Sequence, residues 1–157
     1  MSNYERWRPD RAAEIIKPFV SQPGALMPIL HALQHAFGHV PDAAVPIVAE
    51  ALNLSRADVH GVLTFYHDFR HELPGRRVLK LCQAEACQAR GARAITAQAQ
   101  ARLGVPIGQT TDDGLVTLEA IYCLGLCASG PAALLDGKPV ARLDAARMDA
   151  LIEEAVQ

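Results

Sequence analysis

Nowhere in its 157 residues does the chain hold the roughly 18–20 consecutive apolar side chains that a helix needs to cross a bilayer, so direct membrane insertion is not expected. Charge of one sign is also missing. Fifteen Lys and Arg stand against 17 Asp and Glu, a net charge of -2. Nucleic acids and anionic membranes select basic clusters, so neither is an expected partner. Aromatic residues make up only 5% of the chain, which leaves the core to aliphatic side chains and close helix contacts. The opening residues, Met1 to Trp7, lack the apolar centre of a secretory signal, and a cytoplasmic location is expected. No glycine-rich dinucleotide fingerprint follows a strand, so the chain should bind no nucleotide itself. It also lacks a convincing nucleophile–base set, and no catalytic residue is assigned.

Cysteine is scarce too, but what there is falls in a pattern. Cys82-Gln-Ala-Glu-Ala-Cys87 and Cys123-Leu-Gly-Leu-Cys127 hold all four, with 35 residues between the pairs. Two close pairs far apart in sequence suit four thiolates converging on one metal centre. In a reducing compartment grouped cysteines hold metal more often than they form disulfides. A structural zinc takes four thiolates, although its pairs more often enclose two residues than the four and three found here. A [2Fe–2S] cluster needs two cysteines on each of two irons, which two pairs supply. Thiol–disulfide exchange usually rests on a Cys-x-x-Cys pair at a helix start, and that spacing does not occur.

The first half reads as a compact bundle of three or four helices, residues 1–73. Asp10 is placed to cap a helix with Ala12, Ile15, Ile16 and Phe19 on one face, kinked or ended by Pro18. Leu26, Leu30, Leu33 and Phe37 recur at the spacing of a buried helical stripe, closed by Gly38. A third helix is expected from Asp42 to Leu52. Ser55 and Asp58 resemble a capping box for a fourth, with Val59, Val62, Leu63 and Tyr66 facing in. Arg70 to Gly75 reads as a linker. His31 and His35 share a helical face and could bind a metal, but no glutamate follows His31 as a zinc-protease motif requires. For these two, and for His60, His67 and His71, a solvated or partner-facing surface is the simpler reading.

The second half, residues 74–157, reads as strand, helix, strand, strand, helix. Arg77–Leu81 is a strand running into Cys82. A helix after Cys87 carries Ala92, Ile95, Ala99 and Leu103 and ends at Gly104. Its positive end would favour a thiolate at Cys87, and Arg90 and Arg93 either add positive potential there or form a solvated helix face. Leu115–Tyr122 alternates as a strand, Val116, Leu118 and Ala120 against Thr117 and Glu119, and delivers Cys123. Ala132–Leu135 and Val140–Leu143 are expected to pair through the turn Asp136-Gly137, with Pro139 at an edge. Asp144 caps a final helix bearing Met148, Leu151, Ile152 and Ala155. Both cysteine loops follow strands and can meet at one rim of the sheet.

With a helical bundle before it, Cys82-x4-Cys87 with Cys123-x3-Cys127 resembles the thioredoxin-like [2Fe–2S] ferredoxin family. That family includes the 24-kDa-type subunit of respiratory NADH dehydrogenase and its relatives in NAD-linked hydrogenases and formate dehydrogenases. Pro28–Gln34, Val59–Tyr66 and Cys123–Cys127 all look like family segments. Leu81–Gly91 and Tyr122–Ala132 look most like the gamma subunit of soluble, molybdenum-containing, NAD-dependent formate dehydrogenases. Gln83-Ala84-Glu85-Ala86 and Ser129-Gly130-Pro131 stand where the respiratory subunit usually has a Thr/Asn-rich stretch and Asn-Ala-Pro. The resemblance implies an α+β chain, a small helical bundle followed by a thioredoxin-like cluster domain. It implies Cys82, Cys87, Cys123 and Cys127 as ligands of one [2Fe–2S] cluster. Its expected partners are a flavin- and NAD-binding subunit, which would carry the FMN and NAD, and a molybdenum-containing catalytic subunit. The equivalent subunit of an NADH-quinone oxidoreductase or an NAD-reducing hydrogenase is the nearest alternative, and a zinc-stabilised adaptor the alternative of a different class.

Overall fold

The apolar stripes of the first half fold as helices, and the computed structural model describes residues 4–157. Among these, α1 (Pro9–Ile16), α2 (Leu26–Phe37), α3 (Ala44–Leu52) and α4 (Arg56–Phe65) belong to one compact unit, Met1–Leu73. Ala12, Ile16, Ile29, Leu30, Leu33, Phe37, Val48, Val59 and Leu63 are buried in its core. Trp7 meets Phe37 edge to face at 5.0 Å and packs, partly buried, against this core.

Helix ends differ from the sequence reading in three places. Arg8, not Asp10, occupies the cap of α1, because Pro9 is suited to the first helical position and pulls the start forward. Asp42 lies in a turn ahead of α3, where its carbonyl accepts from Val45. Tyr66 leaves the α4 stripe: it is extended and 46% exposed, one residue past the helix end. The Ser55–Asp58 capping box is present, with Asp58 N–H donating to Ser55 Oγ at 3.0 Å and Ser55 N–H donating to Asp58 Oδ2 at 3.1 Å. The expected linker is tied down at its start, since Arg70 N–H donates to the Gln34 side chain at 2.6 Å and Val40 N–H to Arg70 carbonyl at 2.8 Å.

A second unit, Pro74–Gln157, holds a mixed five-stranded sheet. Its elements are β1 (Arg77–Cys82), α5 (Glu85–Ala89), α6 (Ala92–Leu103), β2 (Gln109–Thr110), β3 (Val116–Ile121), β4 (Ala133–Leu135), β5 (Lys138–Val140) and α7 (Ala145–Ala155). The strand order is β2-β3-β1-β4-β5. The architecture is α+β and thioredoxin-like. α6 and α7 pack together and share a core with the sheet: Leu79, Leu81, Ile95, Ala99, Leu118, Met148 and Ile152 are all buried. Each such aliphatic side chain stabilises the fold by about 1.5–3 kcal/mol when fully buried.

Two strand readings are corrected. β5 begins at Lys138 rather than Val140. The turn has only two residues, both with positive φ (Asp136 at 50°, Gly137 at 81°), so pairing must resume at once, Leu135 opposite Lys138. Pro139 then falls inside β5, which is tolerated because β5 is an edge strand. In β3, Thr117 is buried instead of facing solvent. That strand lies between β2 and β1, and the Thr117 hydroxyl is satisfied by Gly75 N–H at 2.6 Å and by Thr110 Oγ1 at 2.8 Å.

Candidate metal centre

The strand register decides where the cysteines go. β1 and β3 run parallel with Cys82 opposite Ile121, so the segments leaving both strands emerge at the same end of the sheet. β4 returns antiparallel on the other flank of β1, with Cys82 N–H donating to the Ala132 carbonyl at 3.0 Å. The chain from Tyr122 to Pro131 therefore has to arch over the end of β1 to pass from β3 to β4. That arch carries Cys123 and Cys127. Cys82 and Cys87 are buried beneath it, while Cys123 and Cys127 are exposed.

Local backbone geometry shapes the arch. Cys123 has φ +59°, a left-handed conformation that costs a side-chain-bearing residue roughly 1–2 kcal/mol. That turn aims the N–H groups of Cys123 and Leu124 at the sulfur of Cys82. Successive backbone N–H groups converging in this way form a small anion-binding concavity. Burial works against ionisation of Cys82. Hydrogen bonds from Ala84 N–H, the Cys87 thiol, Cys123 N–H and Leu124 N–H outweigh it, and its pKa is lowered.

Cys87 and Cys127 resist ionisation. Burial pushes Cys87 up, the hydrogen bond to Cys82 and the charges of Cys82 and Cys127 add to that, and Ala132 N–H offsets only part. Cys127 is raised by its hydrogen bond and charge interaction with Cys123, then by slight burial, with a further contribution from Cys82. Interaction therefore runs within and between the two pairs, so the four sulfurs share one electrostatic neighbourhood. Several thiolates this close cannot all form unaided, and a bound cationic centre removes that penalty. The donor set fits such a centre.

Cys123 Sγ and Cys127 Sγ lie 3.8 Å apart. Two thiolates at about 2.3 Å from one tetrahedral metal are separated by about 3.8 Å, so this pair suits a single metal atom. Among the described residues, no three His, Cys, Asp or Glu side chains converge closely enough to share one ion. Small and aliphatic side chains wall the site: Ala92 and Ala132 are buried against Cys82 and Cys87, with Ala84, Ile121, Leu124 and Leu126 partly buried around them. There is no spare room at Gly130, where a Cβ would lie 3.1 Å from Cys87 Sγ.

Cys87 does not head a long helix, as its sequence context suggests. It sits within the five-residue α5, and the longer α6 starts beyond Gly91, whose φ of +94° breaks the two apart. Helix-end stabilisation is thus not what the fold gives this thiol. The two arginines also part company. Both are exposed, but Arg90 also donates from Nε to the Gly130 carbonyl at 2.8 Å. His31 and His35 are both exposed on α2, and His31 packs against the Phe69 ring at 4.9 Å. His60, His67 and His71 are exposed as well.

A polar bridge behind the cysteines escapes sequence reasoning. Gln83 Nε2 donates to Thr96 Oγ1 at 3.0 Å, and Gln88 Nε2 donates to Gln83 Oε1 at 2.9 Å. It links the end of β1, α5 and α6. Both glutamines flank cysteines in the sequence, but nothing in the spacing pairs them with a threonine thirteen residues beyond Gln83.

A profile of the thioredoxin-like [2Fe–2S] ferredoxin family matches residues 12–156. The chain is 38% identical over 129 residues to the E 2 subunit of NADH-quinone oxidoreductase of Rhizobium meliloti, covering 82% of this chain and 77% of that one. Against the E-type subunit of the same oxidoreductase from Pseudomonas aeruginosa the identity is 37% over 107 residues, 68% of this chain and 64% of the relative. The alpha subunit of the NAD-reducing hydrogenase HoxS of Cupriavidus necator is 29% identical over 94% of this chain, which spans only 24% of that subunit. Among solved structures, a chain of an NAD+-reducing [NiFe]-hydrogenase in the air-oxidized state superposes with a TM-score of 0.70. Its identity is 31%, over 87% of this chain and 23% of the hydrogenase chain. With a profile match over nearly its whole length and the Rhizobium meliloti relative aligned over 77% of its own length, the chain belongs to the thioredoxin-like [2Fe–2S] ferredoxin family.

Proposed function

We propose that the chain is the electron-transfer subunit of an NAD-linked oxidoreductase complex and that Cys82, Cys87, Cys123 and Cys127 ligate its one [2Fe–2S] cluster. The observation that carries this reading is the meeting of two cysteine segments at one end of the sheet, one pair buried and one exposed. Two pairs suit two irons, each held by two thiolates. A single zinc would ask all four sulfurs to bind one ion, and such sites more often use pairs that enclose two residues than the four and three found here. When bound, the cluster supplies one-electron chemistry, whereas a hydride from NADH carries two electrons. A flavin on a partner subunit therefore mediates between them.

The residues of this chain divide the work. The N–H groups of Ala84, Cys123 and Leu124 favour the thiolate form of Cys82, and burial keeps water from that side. Cys123, Cys127 and the 73%-exposed Tyr122 leave the other side open, where a partner can approach. Unit Met1–Leu73 serves in this reading as the module that docks the flavoprotein, and Pro74–Gln157 as the cluster domain.

The complex we favour is a cytoplasmic NAD-dependent formate dehydrogenase with a molybdenum-containing catalytic subunit, on the strength of the residues between and after the cysteines. A second context, an NADH-quinone oxidoreductase or an NAD-reducing hydrogenase, is favoured by the relatives at 37–38% and 29–31% identity. Protein prepared anaerobically should be brown, contain iron and acid-labile sulfide, and give a rhombic electron-paramagnetic signal on reduction. A colourless protein with one zinc and no iron would falsify the cluster. Pull-down from the native host decides the context. Co-purification of a molybdenum subunit supports formate dehydrogenase, and nickel–iron or membrane subunits overturn that choice.

A further inference from the structure

We propose that Arg90 is a positioning residue of the cysteine centre, fastening the first cysteine segment to the second and fixing a positive charge beside Cys87. The assignment rests on the cluster reading above. Arg90 N–H donates to the Cys87 carbonyl at 3.1 Å, and its side-chain Nε donates to the Gly130 carbonyl at 2.8 Å. Gly130 N–H in turn donates to the Cys127 carbonyl at 3.4 Å. One residue thus closes a chain of bonds from Cys87 to Cys127, across forty positions of sequence. The point where a Cβ at Gly130 would stand lies 3.1 Å from Cys87 Sγ and 3.5 Å from Arg90 Cδ, so sulfur and guanidinium stem are neighbours across one glycine.

Arginine suits this position better than lysine. Its guanidinium is planar, permanently charged and able to hold a carbonyl at fixed geometry. A [2Fe–2S] centre gains one negative charge on taking up one electron, so a fixed cation nearby favours the reduced form.

The test uses the full chain with Arg90→Lys, Arg90→Gln and Arg90→Ala, loaded anaerobically and titrated with dithionite under electron-paramagnetic detection. At the potential where wild type is half reduced, Arg90→Gln and Arg90→Ala should show a reduced-to-oxidised ratio lower by roughly threefold to tenfold. At 59 mV per tenfold for a one-electron couple, that is a shift of about 30–60 mV. High salt should shrink it. Arg90→Lys should keep the wild-type potential yet lose its cluster faster in air. Unchanged potentials in Arg90→Gln and Arg90→Ala at full iron and sulfide content would overturn the role of Arg90 alone, as would an equal shift in Arg90→Lys. An iron-free wild type would overturn the cluster reading and the charge role with it. If Arg90→Ala does not fold, the Gln and Lys variants still decide.

Discussion

At Gly130 the backbone lies in extended geometry that any residue adopts, yet a Cβ there would press on Cys87 Sγ at 3.1 Å. Space, not conformation, requires glycine. Gly130→Ala should therefore lower the iron and sulfide content of purified protein while leaving its far-ultraviolet circular dichroism unchanged. Full cluster content in the variant would show that the loop yields. Gln83 tests the polar bridge. Gln83→Leu removes the partner of the Thr96 hydroxyl and of the Gln88 amide, and a buried polar group without a partner costs about 1–3 kcal/mol. Urea unfolding should show a loss of that order, and an unchanged midpoint would sink the idea. Of these residues the cysteines were legible as a set from their spacing alone. For Arg90 the sequence offers only a positive potential near the cysteines; its bond to Gly130, the bridge of Gln83 and the tight space at Gly130 depend on atoms 13 to 43 positions away in the chain.

Some local signals are legible in the sequence, although the cap of α1 and the start of α3 are not where it places them. The capping box of α4 needs only residues three apart, and Asp144 caps α7 by accepting from Arg147 N–H at 2.8 Å. Ser55→Ala should destabilise the helical unit by about 1 kcal/mol in denaturant unfolding. Its partner supplies a pH test. The side-chain and backbone hydrogen bonds of Ser55 hold the Asp58 carboxyl below its ordinary pKa. A depressed acid contributes stability that is complete above its unfolded pKa and is lost as pH falls through the folded one. The difference between wild type and Asp58→Asn should thus be present at neutral pH and fade in strong acid; a difference that persists there counts against the capping box as its source. Elements defined by pairing were read less well. β2 has two residues and owes its existence to β3, and β5 is set by the two-residue turn rather than by its own apolar pattern. Gly137→Ala, at φ +81° in open space, should cost about 1 kcal/mol through backbone strain alone. A hairpin of unchanged stability would rule that out.

At the scale of the molecule, each unit has its own core, one built on α1–α4 and the other on the sheet with α6 and α7. The cysteine cluster belongs to the second. Removing iron with a chelator under anaerobic conditions should therefore loosen β1, α5 and the arch over 122–131 while sparing α2 and α4. Hydrogen exchange followed by mass spectrometry on the full chain measures both regions together. Equal loss of protection in α2 would contradict the separation. The direction follows from linkage, since a group that binds only the folded protein stabilises it, and losing it exposes the mutual repulsion of close thiolates.

The sequence by itself determined the inventory: four cysteines in two pairs, helical stripes ahead of a strand-rich half, and the polar caps that start α4 and α7. These signals act over a few residues, so periodicity and spacing carry them. Only the tertiary structure decided that the two pairs meet. The parallel pairing of β1 with β3 and the return of β4 on the far side of β1 force one loop across the strand end. The same pairing decided which thiols are buried and which exposed, and it brought Arg90 to Gly130. Such outcomes rest on register between distant segments, set by burial of whole faces at once, and no local pattern encodes them.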